Sequence, residues 1–224
     1  MRPVKNCEFI PGPLLDFAPI LKNWCKIVAK WCALMDWEDV PWWYSERSSL
    51  GLFGLAAWES GGVPLEEYST KKGKRRGHWT GRGDLLISIK KRNYIIEAKQ
   101  IWISLSRRAA KGERKLEDAL VDAIDGARDS TEFRGKRVGI VFAVPYLHKT
   151  EKDFMVERLI EWIKVVKNCN DCAVAWVFPE DARHGFKLDG YLYPGISVLI
   201  RALRRPRATL PSNKIAARRI KRKG

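Results

Sequence analysis

Apolar residues recur at helical spacing from Leu14 to Trp37, with Ile20, Leu21, Trp24, Ile27, Val28 and Trp31 on the repeat, which predicts one or two packed helices. The stretch before them, through Pro13, is rich in Pro and polar residues and is expected to be irregular. Pro41 resets the chain, Ser45 suits an N-cap, and a helix from about Glu46 to Trp58 would bury Leu50, Phe53, Leu55, Ala57 and Trp58. Gly61-Gly62 ends that helix, and Val63 to Ser69 predicts a short strand. Two further strand-like segments, Leu85 to Ile89 and Tyr94 to Gln100, flank Lys90-Lys91-Arg92-Asn93, so a hairpin is the simplest connection. A helix over Glu113 to Arg128 carries Leu116, Leu120, Ala123, Ile124 and Ala127 on one face. Beyond it the spacing predicts a strand over Val138 to Val144, a helix over Glu151 to Lys167, a strand over Ala173 to Phe178, and a last strand or short helix around Ile196 to Leu203. This alternation predicts an α/β fold with a mixed central β-sheet flanked by helices.

Between the first strand and the hairpin lies a segment of unusual composition, Lys71 to Arg82, containing Lys72, Lys74, Arg75, Arg76, His78, Trp79 and three glycines. Its glycine content and charge repulsion predict an irregular loop, mobile without a ligand. The chain as a whole has 224 residues, 46% of them hydrophobic, enough to bury one large core. The expected organisation is a helical extension over residues 1–44, a main domain over 45–203 and a solvated basic tail over 204–224. The tail's nine Lys and Arg residues meet no acid, and without them the formal charge of +16 falls only to +7. So basic a body favours a polyanionic partner, DNA or RNA first. No apolar run approaches the roughly 20 residues of a spanning helix, and no signal-peptide layout opens the chain, so no membrane partner is expected. Five scattered cysteines fit a reducing, cytoplasmic setting better than a disulfide framework. Cys169-Asn170-Asp171-Cys172 invites a zinc site but lacks a second ligand pair, and buried free thiols are the better account. Trp24, Trp31, Trp37, Trp42 and Trp43 are expected in a core or an oligomer interface, the latter allowing a homodimer.

Successive strand side chains alternate between faces, so in Glu97-Ala98-Lys99 the carboxylate and the ammonium share one face. If Ile89 pairs with Tyr94 across a four-residue loop, Asp84 lies opposite Lys99 and diagonal to Glu97 on that same face. Two carboxylates so placed suit a hard cation such as Mg²⁺, or Mn²⁺, with the Ala98 carbonyl as a further ligand. Lys99 would act on water and phosphate, and Gln100 is a polar accessory beside the set. Residues Lys71, Lys72, Lys74, Arg75, Arg76, His78, Trp79 and Arg82 precede Asp84 and would deliver a phosphate backbone to it, Trp79 either stacking on a base or packing back on the body, while Arg107, Arg108, Lys111, Arg114 and Lys115 form either a second wall or a solvated helix entrance.

Gly81-Arg82-Gly83-Asp84, the strand Leu85 to Ile89 and Tyr94-Ile95-Ile96-Glu97-Ala98-Lys99-Gln100 resemble the PD-(D/E)XK nuclease superfamily, in which an Asp opens one strand and Glu-x-Lys lies on the next. Gly83 stands where that family has Pro. Ser45-Glu46-Arg47 at a helix start, then glycines and a strand, is similar to the layout of archaeal Holliday-junction resolvases. The likeness spans roughly residues 45–144. It implies a restriction-endonuclease-like core, Mg²⁺-dependent cleavage of DNA, and an early-helix glutamate at the metal, which makes Glu46 the candidate and Glu59, at the other end of the same helix, its competitor. The alternatives are a nuclease fold that binds DNA or RNA without turnover, as a subunit or architectural factor, and a basic RNA-associated protein bound through its tail.

Overall fold

Successive residues along the chain's strands are buried on alternate faces of the sheet, and the helices cover both, which yields three layers. The computed structural model describes residues 7–10, 12, 14–73, 77, 79–106, 112–182 and 187–203. The elements run β1 (Cys7–Ile10), α1 (Ala18–Leu34), α2 (Glu46–Glu59), β2 (Val63–Lys72), β3 (Trp79–Ile89), β4 (Arg92–Ser104), α3 (Gly112–Asp129), β5 (Lys136–His148), α4 (Met155–Lys167), β6 (Cys172–Val177), β7 (Lys187–Leu188), β8 (Tyr191–Leu192) and β9 (Ile196–Ala202). The main sheet has the order β1-β6-β9-β5-β4-β3-β2. Its β4–β5 pair is parallel and its other pairs are antiparallel, so the sheet is mixed, as the alternation of elements predicts. No helix among the described residues is long and apolar enough to cross a membrane.

One face of the sheet, with Leu85, Ile87, Ile96, Ala98, Ile140 and Phe142, packs against Ile20, Leu21 and Trp24 of α1 and Leu50, Phe53 and Ala57 of α2. The other face, with Ile103, Val141, Val174, Trp176 and Leu199, packs against Leu116 and Leu120 of α3 and Leu159 and Trp162 of α4. Burying a large apolar side chain contributes on the order of 2 kcal/mol, so these two clusters dominate the stability. Trp24 and Trp42 are core residues, whereas Trp31, Leu55 and Trp58 are exposed, against expectation. The stripe on α2 centres on Ser49, Leu50, Phe53, Ala56 and Ala57, and at 100° per residue Leu55 and Trp58 fall outside it.

Three further expectations are corrected. The opening is not wholly irregular, because Cys7–Ile10 forms β1 against β6, whose six residues are all buried, and that pairing outweighs local composition. The supposed loop over Lys71 to Arg82 is strand at both ends: β2 continues to Lys72 and β3 starts at Trp79, with Lys71 opposite Thr80 and Lys72 opposite Trp79. Its ladder satisfies the backbone, and the Glu97 carboxylate absorbs the Lys72 charge. The β3–β4 hairpin closes through two residues, Lys90 and Lys91, both with positive φ (50° and 62°), as a tight turn matched to strand twist requires. Ile89 therefore pairs with Arg92 and Leu85 with Ile96, a shift of two residues from the expected register. A two-residue shift preserves facing, so Asp84, Glu97 and Lys99 still share a side, with Asp84 now next to Glu97.

Candidate active site

Asp84, Glu97 and Lys99 occupy the face of β3 and β4 that α3 covers. Asp84 Oδ2 accepts a hydrogen bond from the Ala98 N–H at 2.8 Å, which fixes the carboxylate one residue beyond the Leu85–Ile96 pair of the β3–β4 ladder. Glu97 is 8% exposed. Helix α3 crosses directly above it at Gly126, where a Cβ would stand 2.8 Å from Glu97 Cγ, so this close approach requires glycine. Tyr68 lies over Gly83 in the same way, leaving no room for a Cβ there. A proline at position 83 would meet that ring.

Lys72 reaches into this face from β2. Its Nζ donates to Glu97 Oε1 at 2.9 Å and Oε2 at 3.2 Å, and both side chains are largely buried. The end of β2 is held in place by α3 and the segment after it, since Gly73 N–H donates to Asp129 O and Thr131 N–H to Lys71 O. The sequence places Lys72 among the phosphate contacts; in the structure it is turned inward onto the Glu97 carboxylate. Lys99 is half-buried and makes no ion pair within 4 Å among the described residues.

Glu46 approaches from the first turn of α2, and its Oε2 accepts from the Gln100 N–H at 2.9 Å. The Gln100 side chain is itself engaged, accepting from Ser49 Oγ at 2.7 Å and donating to Tyr44 O at 3.0 Å, and so seats the helix start on β4. Glu59 lies at the far end of the same 14-residue helix, roughly 20 Å away. Glu46, and not Glu59, is beside Asp84.

Burial holds the carboxyls of Glu46 and Glu97 above the ordinary glutamate range, and repulsion from Asp84 pushes both the same way. Lys99 opposes the rise at Glu46, and Lys72 and Lys99 oppose it at Glu97. Three half-buried or buried acids thus face two ammonium groups. The donors are carboxylate oxygens with a nearby peptide carbonyl, the chemistry a hard divalent cation takes, and added positive charge would relieve the repulsion. Among the described residues no three His, Cys, Asp or Glu side chains already stand together as a metal-binding group. With Lys72 on both oxygens of Glu97, a cation here would have to compete with that ammonium.

The raised carboxyl of Glu46 yields a test. A group whose folded pKa exceeds its unfolded value stabilises fully below the unfolded value, about 4.3, and that contribution is lost as pH rises through the folded one. Glu46→Gln keeps an acceptor for the Gln100 N–H and removes the charge. In EDTA it is expected to melt above the wild type at pH 7, with the gap closing below about pH 4. Thermal melts across that range check this; a variant melting lower at pH 7 would contradict it.

Of the expected nucleic-acid contacts, Lys71 is exposed on β2, and Trp79, 57% exposed, lies with its ring edge against Gly73. Arg82 is exposed and pairs with Glu67 at 3.2 Å. Lys115 donates to Trp102 O at 2.9 Å, and Arg114 is solvent-facing beside Asp118. Lys74, Arg75, Arg76, His78, Arg107, Arg108, Lys111 and the tail lie outside the described residues. Sequence reasoning does not single out a run of rings at the ends of β4 and β5, Trp102–Tyr193–Tyr146–Tyr191–His148, with centroids 5.2–6.1 Å apart. The parallel pairing of β4 with β5 and the antiparallel pairing of β5 with β8 bring these separated aromatics together, which no local pattern announces.

No family model, curated protein or solved structure matches the chain.

Proposed function

We propose that the protein is a metal-dependent endonuclease that hydrolyses phosphodiester bonds in DNA. The observation that carries this reading is the convergence of Asp84, Glu97 and Lys99 on one sheet face with Glu46 beside them. Asp84, Glu97, Glu46 and the Ala98 carbonyl would hold Mg²⁺ or Mn²⁺. When bound, such an ion supplies Lewis acidity toward a phosphate oxygen and makes water a better nucleophile. Lys99, an unpaired compact cation among the described residues, donates toward the attacked phosphate and orients the water. The formal charge of +16 supports a nucleic-acid partner, with Lys71, Trp79 and Arg82 on the hairpin that leads to Asp84 as its described contacts.

The test is incubation of the purified protein with supercoiled plasmid and with branched and single-stranded DNAs, in Mg²⁺, Mn²⁺ or EDTA. Cleavage that needs the divalent ion supports the reading; no cleavage of any substrate removes it. Lys99→Ala is expected to bind metal as the wild type does and to lose about two to three orders of magnitude in turnover, since the ammonium acts on reacting atoms and is not a ligand. Calorimetry with Mg²⁺ beside single-turnover cleavage separates the two. Loss of metal binding in this variant would reassign Lys99.

One observation favours a second reading, a nuclease fold that binds nucleic acid without turnover: Lys72 already neutralises Glu97, much as a resident cation would. Tight, salt-dependent DNA binding with no divalent-dependent cleavage is its expected signature.

A further inference from the structure

Away from this site, Cys169 lies just past the C-terminus of α4 and Cys172 opens β6. Both are free thiols, and their Sγ atoms lie 2.8 Å apart. The connecting Asn170-Asp171 turns the chain back on itself, with Asp171 in the left-handed region (φ 56°). Arg201 on β9 is the ladder partner of Cys172, and its Nη2 donates to Cys169 Sγ at 3.4 Å. The same guanidinium is gripped by both oxygens of Glu117 on α3, at 2.5 and 2.8 Å, so its orientation is fixed and its sulfur contact is held in place. Cys172 is buried, while Cys169 is half-buried and so the sulfur an incoming reagent meets first.

We propose that Cys169 and Cys172 form a redox-modifiable dithiol in which Cys169 is the attacking sulfur and Cys172 the resolving one, with a peroxide or a small-molecule disulfide as oxidant. With hydrogen peroxide, the Cys169 thiolate attacks one oxygen, the O–O bond breaks, and Cys169 sulfenic acid and hydroxide result. The Cys172 sulfur then attacks Cys169 Sγ, the S–O bond breaks, and a disulfide forms. In total two thiols and one peroxide give one disulfide and two waters, the sulfurs losing two electrons. With a small disulfide, the first step is a mixed disulfide releasing one thiol, and the second releases the other.

The asymmetry between the two sulfurs has a physical cause. The Cys172 S–H and the Arg201 guanidinium both stabilise a thiolate at Cys169 and hold its thiol below the usual cysteine range, while the Cys169 sulfur and burial push Cys172 up. Cys32, buried in the α1 core, is pushed up to about 12 by desolvation. Zinc is not the occupant supported here, because no third His, Cys, Asp or Glu joins the pair among the described residues. The proposal is independent of the nuclease reading.

The experiment uses the full-length protein, reduced and then exposed to limiting hydrogen peroxide, blocked with an alkylating agent, digested and read by peptide mass spectrometry. Expected is loss of two hydrogens on the peptides carrying Cys169 and Cys172, reversible by dithiothreitol, before Cys7, Cys25 or Cys32 reacts. In Cys172→Ser, dimedone is expected to trap a sulfenic acid at Cys169; in Cys169→Ser, Cys172 is expected to stay reduced. Arg201→Lys cannot hold both Glu117 and the sulfur, and should slow alkylation of Cys169 about tenfold, as losing one charge-assisted hydrogen bond implies. The two serine variants change one atom each and decide the matter even if Arg201→Lys folds poorly. Oxidation that begins at another cysteine, reaction of Cys172 in Cys169→Ser, or Cys169 sulfenic acid persisting in the wild type overturns the proposal.

Discussion

Asp84→Asn is expected to lower divalent-dependent cleavage by at least about three orders of magnitude while leaving DNA affinity and thermal stability near those of the wild type. Asp84 has one oxygen committed to the Ala98 N–H and stands next to Glu97 in the hairpin. Asparagine keeps an oxygen for that hydrogen bond but removes the negative charge that a hard cation requires. A metal supplies several kcal/mol of transition-state stabilisation, and each 1.36 kcal/mol is a factor of about ten in rate. Affinity should be spared, because on the proposed reading the phosphate contacts come from Lys and Arg residues elsewhere. Asp84→Ala should lose activity equally but also melt lower, since the Ala98 N–H would be left without its acceptor at a cost of about 1–3 kcal/mol. Single-turnover cleavage, filter binding and thermal melts of both variants make the comparison. Should Asp84→Asn cut as fast as the wild type, the metal-centred reading is wrong at its root.

The facing of these residues was legible in the sequence because it depends on strand parity alone. Any even shift of register keeps Asp84, Glu97 and Lys99 together, and the actual shift was two residues. The register itself was not legible. Tight two-residue turns advertise themselves through Gly or Asn, and here two lysines adopt positive φ at Lys90 and Lys91. Strand β1 was hidden for a different reason, since its stability comes from pairing with a buried β6 near the other end of the chain. Gly126 looks like an ordinary weak point in a helix until Glu97 is seen beneath it. Lys72 was hidden in a segment whose composition indicated a loop, and its place against Glu97 rests on the β2–β3 ladder and on the bonds from Gly73 and Thr131 that hold the end of β2 at the end of α3. Periodicity thus reported the layers, whereas the balance of charge at the site is a product of tertiary contacts.

That balance leads to the second large effect. Lys72→Met is expected to destabilise the metal-free protein by about 3 kcal/mol at pH 7, because methionine fills the space of the lysine stem but leaves Glu97 ionised, buried and without its counter-ion. For a chain of this length that is roughly a 10 °C fall in melting temperature. The sign with pH is set by Glu97. Its carboxyl is already held above the ordinary range by burial, with Lys72 restraining the rise, so removing Lys72 raises it further. The variant's deficit should therefore shrink as pH falls through the Glu97 pKa and Glu97 becomes neutral. Divalent cations should offset the loss at neutral pH. With the competing ammonium gone, Mg²⁺ should bind the variant more tightly than the wild type and recover much of the lost stability, since a ligand that binds only the folded state stabilises it by RT ln(1 + [L]/Kd). Melts of both proteins against pH in EDTA, and against Mg²⁺ at pH 7, contain the whole test. A deficit that does not change with pH would mean the loss is one of packing and not of charge. A deficit that Mg²⁺ leaves untouched would mean that Lys72 is the permanent counter-ion of Glu97, and the reading of a nucleic-acid-binding protein without turnover would replace that of a nuclease.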